Sequence, residues 1–124
     1  KKMTRSQQRQ GAVGENRASK YHATRTEVDG YVFASKAEAR RYSELKLLEA
    51  AGEIDGLVLQ PVFPIVVNDV KICKYIADFS YYSGQERFIE DVKSAATKKI
   101  PVYRLKKKLV EAIYGIAIAE VSYR

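Results

Sequence analysis

The first candidate for chemistry is the sequence FIEDVK at residues 88–93, where two acids and a lysine interrupt an apolar run. Successive side chains of a strand point to opposite faces, so Asp91 and Lys93 share one face and Glu90 lies on the other. Lys93 stands two residues beyond Asp91 and reaches toward the same spot. We therefore take Asp91 and Lys93 as candidate site residues and leave Glu90 out of the primary site.

A second acid, Asp78, belongs to the strand that the sequence predicts immediately before this one. A two-residue turn at residues 84–85 pairs Ser83 with Glu86, and the same register places Asp78 directly opposite Asp91. A turn one residue earlier would shift the pairing by two residues and still leave the two acids on one face. Two like charges about 5 Å apart across a ladder destabilise a sheet unless something compensates for their repulsion.

A bridging divalent cation is one such compensation. Oxygen ligands favour Mg²⁺, or Mn²⁺, and a chain with one His and one Cys cannot supply a usual zinc site. The alternative is a solvated face that carries an acid–lysine ion pair. That alternative does not explain Ile72, Ile76 and Ile89, which the predicted strands place on the face of the acids. The residue pattern alone leaves both interpretations open.

A third carboxylate, Glu38, lies near the start of the helix predicted over residues 36–51. Its place on the apolar stripe of this helix would direct it toward the sheet. Ser35 and Glu38 also form an S-x-x-E capping box, which is a sufficient structural reason for the acid. From the pattern alone, the capping role is favoured. The stripe comprises Glu38, Tyr42, Leu45 and Leu48.

These residues fall in a single predicted domain of the α/β (α+β) class, residues 20–124, which follows a flexible basic arm at residues 1–19. Asp29-Gly30 predicts a hairpin before the first helix. The expected order is this hairpin followed by α-β-β-β-α-β. The strands of the core are predicted at residues 57–67, 72–82, 86–93 and 116–122.

A second helix is predicted over residues 102–114, between Pro101 and Gly115. Its basic residues would face outward, away from an apolar inner stripe. That stripe is predicted to comprise Leu105, Leu109, Ala112 and Ile113.

Positive charge is concentrated in two stretches of the chain. Lys and Arg number 22 against 15 Asp and Glu, which gives a net charge of +7. Residues 1–20 hold six basic residues and one acid, and residues 93–108 hold seven and no acid. Clustered positive charge favours nucleic acid as partner, because each neutralised phosphate releases counterions. A solubilising surface, an acidic protein and an anionic membrane surface are the alternatives.

Other classes of protein are disfavoured by what the sequence lacks. No apolar run approaches the length of a membrane span and no secretory segment is present, so we expect no membrane association. The single cysteine, Cys73, rules out an intramolecular disulfide and fits the reducing cytoplasm.

A helix glutamate, an aspartate at the end of one strand and D-x-K on the next together resemble the PD-(D/E)XK nuclease superfamily, whose core has the same α-β-β-β-α-β order. Four blocks in the correct order are similar to small phage- and prophage-encoded members of that superfamily. The similarity extends over residues 20–121. The blocks are DGYVFASKAEARRYSELKLLEAAGEI, LQPVF, YIADFSYY and EDVKS.

This resemblance implies a Mg²⁺-dependent phosphodiesterase that acts on DNA. Asp78, Asp91 and the Val92 carbonyl would hold the metal, and Glu38 would complete its coordination or hold a water bound to it. Lys93 would orient or activate the attacking water and stabilise the charge that builds on the phosphate. The resemblance thus raises Glu38 above its capping role.

Two positions depart from the motif of the superfamily. Ala77 stands in place of Pro, and Asp91 in place of the commoner Glu. Gln60 corresponds to a polar strand position that related nucleases sometimes place near the site, although a strand-edge amide is the favoured interpretation.

Archaeal-type Holliday junction resolvases share this compact core and act as homodimers, so the resemblance favours a four-way junction as substrate. The setting would be phage-type recombination in the cytoplasm of a bacterial host. A nicking, flap or restriction-like nuclease and a non-catalytic nucleic-acid-binding module are the alternatives. A small basic chain without a specificity domain fits recognition of shape. The residues expected to contact the DNA backbone are Lys20, Lys98, Lys99, Arg104, Lys106, Lys107 and Lys108.

Overall fold

The structure of the protein is a computed structural model that describes residues 24–123. The predicted basic arm and Lys20 lie outside these described residues. In the part of the chain described, no helix is long and apolar enough to cross a membrane. The elements, in chain order, are β1 (Thr26–Val28), β2 (Tyr31–Phe33), α1 (Lys36–Ala50), β3 (Asp55–Leu59), β4 (Val62–Val67), β5 (Val70–Ile76), β6 (Phe79–Ser83), β7 (Glu86–Val92), α2 (Ala95–Lys98), α3 (Pro101–Tyr114) and β8 (Ile118–Val121).

The central sheet has four strands in the order β3-β6-β7-β8. β3, β6 and β7 pair antiparallel, whereas β8 runs parallel to β7. A parallel neighbour needs a crossover connection, and the segment that contains α3 provides it. The order α1-β3-β6-β7-α3-β8 confirms the predicted α/β (α+β) class, and the central sheet is mixed.

A separate two-stranded hairpin, β4-β5, is inserted between β3 and β6. The single strand predicted over residues 72–82 is therefore wrong, because the chain changes sheet at Ala77 and Asp78. Two backbone hydrogen bonds join the chain where it enters and leaves the hairpin. Gln60 N–H donates to the Asp78 carbonyl at 3.0 Å, and Ala77 N–H donates to the Pro61 carbonyl at 3.1 Å. Side-chain alternation along this stretch does not reveal where the chain changes its pairing partner.

Two tight turns agree with their sequences. In the β1-β2 turn, Asp29 and Gly30 both have positive φ, 53° and 80°, as a type I′ hairpin needs. In the β6-β7 turn, Gly84 has a φ of 65°, and Ser83 pairs with Glu86 as predicted. The register of the two strands that carry the acids is therefore the one that the sequence predicts.

Helix α1 packs on one face of the central sheet. Its N-terminus is capped by Ser35, whose Oγ accepts the Glu38 backbone N–H at 3.1 Å. Tyr42 of α1 is buried in a core cluster with Phe79 and Tyr81 of β6. The β1-β2 hairpin contributes to the same cluster, so it covers this face of the sheet together with α1.

Helix α3 packs on the opposite face, and its orientation differs from the prediction. Its buried residues are Tyr103 and Val110, whereas Leu105 and Ile113 of the predicted stripe are 60% and 45% exposed. Apolar residues occur on more than one side of this helix, so periodicity does not decide which side meets the sheet. Packing against Ile118 and the β4-β5 hairpin selects the side that carries Tyr103.

Candidate functional site

Asp78 and Asp91 come together where β6 begins and β7 ends. Asp78 Oδ2 accepts the Val92 backbone N–H at 2.8 Å, and Asp91 Oδ1 accepts the Asp78 backbone N–H at 3.1 Å. The two residues are 5% and 2% exposed. They form a buried carboxylate pair that spans two adjacent strands, and we call it the acid pair.

The β6-β7 register explains the acid pair. The last paired residues are Phe79 and Glu90, and one further step brings Asp78 opposite Asp91. At that step the Asp78 N–H also donates to the Glu90 carbonyl at 3.1 Å. Burying carboxylates costs free energy, which hydrogen bonds from backbone N–H groups partly offset.

The isoleucines expected on the face of the acids divide into two groups. Ile72 and Ile76 belong to β5 in the separate hairpin and are 58% and 38% exposed. Ile89 is buried, two residues before Asp91 in β7. The prediction was therefore wrong for Ile72 and Ile76. The burial of the acid pair nevertheless argues against the alternative, a solvated face that carries an acid–lysine ion pair.

Lys93 follows β7 on the face of Asp91, and its amine contacts an aromatic ring. Nζ lies 4.3 Å from the ring centroid of Tyr103 in α3, which is a cation–π distance. The Lys93 backbone N–H donates to the Val121 carbonyl at 2.9 Å and so extends the pairing of β7 with β8. Lys93 is thus held by β8 through its backbone and by α3 through its side chain.

Tyr103 links this face to a further acid, Glu120 of β8. The Tyr103 hydroxyl donates to Glu120 Oε2 at 2.6 Å, and Glu120 is the partner of Asp91 in the parallel register. Burial raises the pKa of Tyr103, and the hydrogen bond to Glu120 and the charges of Asp91, Glu120 and Asp78 raise it further. The phenol therefore stays protonated at neutral pH and remains a hydrogen-bond donor.

Glu38 is buried at the N-terminus of α1. Its Oε1 accepts the Ala34 backbone N–H at 3.2 Å, and its own N–H donates to Ser35. The expected cap is therefore formed, with Ala34 instead of Ser35 donating to the carboxylate. Among the described residues, no three or more His, Cys, Asp or Glu side chains form a group arranged to hold a metal ion.

Glu90 lies on the opposite face from the acid pair, as predicted, but it is a buried member of an ion pair. It is 3% exposed. Arg41 Nε and Nη2 donate to its two oxygens at 2.7 Å each, and the Tyr81 hydroxyl donates to it as well. The hydrogen bond to Glu90 raises the pKa of Arg41 against the opposing effect of burial. The two parallel bonds tie α1 to β7.

Gln60 lies beside the acid pair through its backbone, a point that the sequence left open. Its N–H donates to the Asp78 carbonyl at 3.0 Å, and the residue is 8% exposed. Its φ of 56° lies in the left-handed region, which costs free energy in a residue other than glycine. Gln60 therefore marks the point where the chain leaves the central sheet for the hairpin.

A groove of about 670 Å³ is lined by residues of α2, α3 and β8, and we call it the basic groove. Leu105, Glu111 and Glu120 line it together with basic residues. Glu120, which lines the groove, pairs with Asp91 in the β7-β8 ladder, so one residue of the lining lies one strand away from the acid pair. The basic residues of its lining are Lys98, Lys99, Arg104, Lys107 and Lys108.

Two of the predicted basic residues make other contacts. Lys106 Nζ donates to the Lys74 carbonyl of β5 at 3.1 Å, so this amine contacts the inserted hairpin. Lys107 lines the basic groove but also pairs with Glu111 at 3.3 Å. The residues predicted to contact the DNA backbone therefore divide between the groove and the hairpin, and Lys20 lies outside the described residues.

Sequence reasoning missed Tyr103, Glu120 and Arg41. Two of them could have been found from the sequence. Tyr103 and Val110 are seven residues apart and define a second possible apolar stripe of α3. Glu120 is an acid within an otherwise apolar strand. Arg41 could not, because its partner Glu90 is 49 residues away in the chain.

Comparison with known proteins identifies the family of the chain. The profile of DUF1064, described as a protein of unknown function, matches residues 18–118. No curated protein and no solved structure matches the chain significantly. The matched range contains Asp78, Asp91, Lys93 and Tyr103, and Glu120 follows it closely. The chain therefore belongs to the DUF1064 family of proteins of unknown function.

Proposed function

We propose that this protein is a metal-dependent DNA endonuclease of the PD-(D/E)XK superfamily that selects branched DNA, with the four-way junction as its preferred substrate. The observation that carries the proposal is the acid pair on adjacent central strands, with Lys93 on the same face. The α-β-β-β-α-β order of the central sheet supports it, because the resemblance requires that core. A role in phage-type recombination or DNA processing in the bacterial cytoplasm follows from the same resemblance.

The donor set of the acid pair fits a hard divalent cation. Mg²⁺ is usually bound through one or two carboxylates, while water and substrate phosphates complete its ligands. In this proposal Asp78, Asp91 and the Val92 carbonyl would hold Mg²⁺, or Mn²⁺ in its place, and Glu38 would contribute from α1. When bound, the cation polarises the phosphate and makes water a better nucleophile.

Lys93 supplies positive charge from the chain itself. Its amine, on the same face of the sheet as Asp91, donates to a phosphate oxygen and stabilises the charge that builds there during attack. It also orients the attacking water. A lysine is suited to both tasks because its ammonium group carries three donors.

The basic groove gives the DNA backbone a path to the acid pair. Its five Lys and Arg side chains neutralise phosphates and release the counterions condensed on them. Contacts to the backbone respond to the path of the strands and carry no base sequence, as selectivity for branched structure requires. A homodimer would present two such sites to symmetric strands of a four-way junction.

The proposal is tested by incubating the protein with a four-way junction, a flap and a linear duplex, with Mg²⁺ or with EDTA. We expect cleavage of the branched substrates with Mg²⁺, little cleavage of the duplex, and none with EDTA. Binding of these DNAs without metal-dependent cleavage of any of them would overturn the enzyme and leave a binding module.

The role of the groove is tested by the salt dependence of DNA binding. Lys99→Ala should weaken binding to all DNAs and reduce the slope of log K against log salt by about 1, because one phosphate contact is lost. Lys106→Ala is the matched control, since this amine donates to the Lys74 carbonyl and does not line the groove. Equal slopes in the wild type and Lys99→Ala would remove Lys99 from the binding surface.

One observation favours a second function, nucleic-acid binding without catalysis. Asp78 and Asp91 each accept a backbone N–H from the two paired strands, which gives both acids a structural role that needs no metal. The basic groove would then be the functional surface, and the substrate panel above distinguishes the two functions.

A further inference from the structure

The contact between Lys93 and Tyr103 has a consequence for catalysis. We propose that Tyr103 is a positioning residue whose ring holds the Lys93 amine on the face of the acid pair, with Glu120 anchoring the ring through the phenol. This inference rests on the proposed nuclease function, in which Lys93 acts on the phosphate.

Tyr103 is built into the structure firmly enough to serve as a support. It is 8% exposed within the cluster that also contains Tyr75 and Val110. Its ring centroid lies 6.4 Å from that of Tyr75, and its hydroxyl is bonded to Glu120 at 2.6 Å. The ring is therefore fixed at its buried side by packing and at its polar end by a charged acceptor.

Lys93 is the side chain that needs such a support. Its amine ends a flexible four-carbon stem, and an unrestrained lysine samples many rotamers. The negative face of an aromatic ring attracts an ammonium group placed over it, and Nζ lies 4.3 Å from the Tyr103 centroid. Holding the amine in place before substrate arrives lowers the cost of organising the transition state.

The inference is tested by exchanging Tyr103 for Leu and for Phe. We expect Tyr103→Leu to lower kcat about tenfold with KM changed by less than about twofold, because a positioning contact is lost but DNA binding is not. Tyr103→Phe keeps the ring and loses only the hydrogen bond to Glu120, so its kcat should fall between those of the wild type and Tyr103→Leu. Tyr114→Leu is the matched control, since Tyr114 lies in the same helix but donates to the Pro64 carbonyl at 2.7 Å. It should leave kcat unchanged.

A double-mutant cycle with Lys93→Met separates positioning from a general structural effect. If Tyr103 acts through Lys93, Tyr103→Leu lowers kcat by less than about twofold once Lys93 has been replaced. The same tenfold loss in both backgrounds would overturn the inference. A wild-type rate for Tyr103→Leu would overturn it as well.

NMR provides a readout that does not depend on cleavage. The Tyr103 ring should shift the Lys93 Hε resonances upfield of their ordinary range, and the shift should vanish in Tyr103→Leu and persist in Tyr103→Phe. Ordinary Hε positions in the wild-type protein would overturn the inference and leave the proposed nuclease intact. Absence of cleavage by the wild-type protein with Mg²⁺ would overturn the proposed function and, with it, the catalytic role of this contact.

Discussion

Glu90 and Asp91 are neighbours in β7, and they point to the two faces of one sheet with almost the same burial, 3% and 2% exposed. On the α1 face, Glu90 meets the guanidinium of Arg41 and the hydroxyl of Tyr81. On the α3 face, Asp91 meets a strand that carries a second acid, Asp78. The two acids are therefore almost equally buried, but Glu90 has a positively charged neighbour and Asp91 has an acidic one.

This difference separates a structural acid from a candidate site acid. A carboxylate held by two bonds from one guanidinium is compensated within the fold, and breaking that pair destabilises the fold. Two neighbouring carboxylates repel each other, so a cation that binds between them would stabilise the folded state. On the proposed function, the α1 face serves stability and the α3 face serves chemistry, and the following predictions test that division.

The largest effect is expected for Asp91→Asn. Cleavage should fall at least about a thousandfold, the scale of losing an essential catalytic group. DNA binding should be unchanged or tighter, and the free energy of unfolding should not decrease, because one of two like charges is removed. Single-turnover cleavage, fluorescence anisotropy with labelled DNA and urea unfolding measure the three quantities. Full activity in this variant would exclude the acid pair as the metal site.

On the α1 face, Arg41→Met should act on stability. It leaves Glu90 buried without its guanidinium, and we expect the free energy of unfolding to fall by about 3–5 kcal/mol. Arg40→Met is the matched control, because Arg40 pairs with Glu44 at 3.2 Å from an exposed position, where a loss below about 1 kcal/mol is expected. Equal losses in the two variants, measured by urea unfolding, would contradict the contrast between the faces.

The hydroxyl groups of two buried tyrosines, one on each face, allow the stability contributions of the two faces to be compared. Tyr81→Phe removes a donor from Glu90 and should cost about 1.5–3 kcal/mol of unfolding free energy, as for a hydrogen bond to a charged group. The Tyr75 hydroxyl on the α3 face is buried with no hydrogen-bond partner in the described part of the chain. Tyr75→Phe should therefore change stability by less than about 0.5 kcal/mol or increase it. A larger loss for Tyr75→Phe than for Tyr81→Phe would reverse the expected ranking.

The smallest effect concerns alkaline pH. Burial, the hydrogen bond to Glu90 and the charge of Glu90 raise the pKa of Tyr81 to about 12, from 10.0. A folded-state pKa above the unfolded value means that this stabilisation is complete below pH 10.0 and is lost as the pH rises toward 12. Urea unfolding across this interval should show a decline that is smaller in Tyr81→Phe. An equal decline in both proteins would rule out this contribution from Tyr81.

Much of the fold follows from local chemistry that can be read along the chain. Ser35 caps α1 and Gly115 ends α3 in the left-handed conformation, as the sequence predicts. The β1-β2 and β6-β7 turns form where Asp29-Gly30 and Gly84 stand, because these residues accept positive φ. Such signals depend on residues a few positions apart, which is why they can be predicted.

The errors share a physical cause, which is packing between distant segments. The run over residues 72–82 was divided between two sheets, and α3 turned Tyr103 toward the sheet instead of Leu105. In both cases the sequence allows more than one buried side, and the choice depends on what else must be buried. The bonds from Arg41 to Glu90 are of the same kind, since nothing local to either residue indicates the other.

For the candidate site, the sequence by itself determined that Asp78 and Asp91 lie on one face of adjacent strands. The two-residue turn after Ser83 sets the register, and strand alternation then assigns the faces. Only the tertiary structure decided what covers those faces, with Tyr103 beneath the Lys93 amine and Arg41 against Glu90. Register depends on neighbours in the chain, whereas the covering of a face depends on how distant helices share one small core.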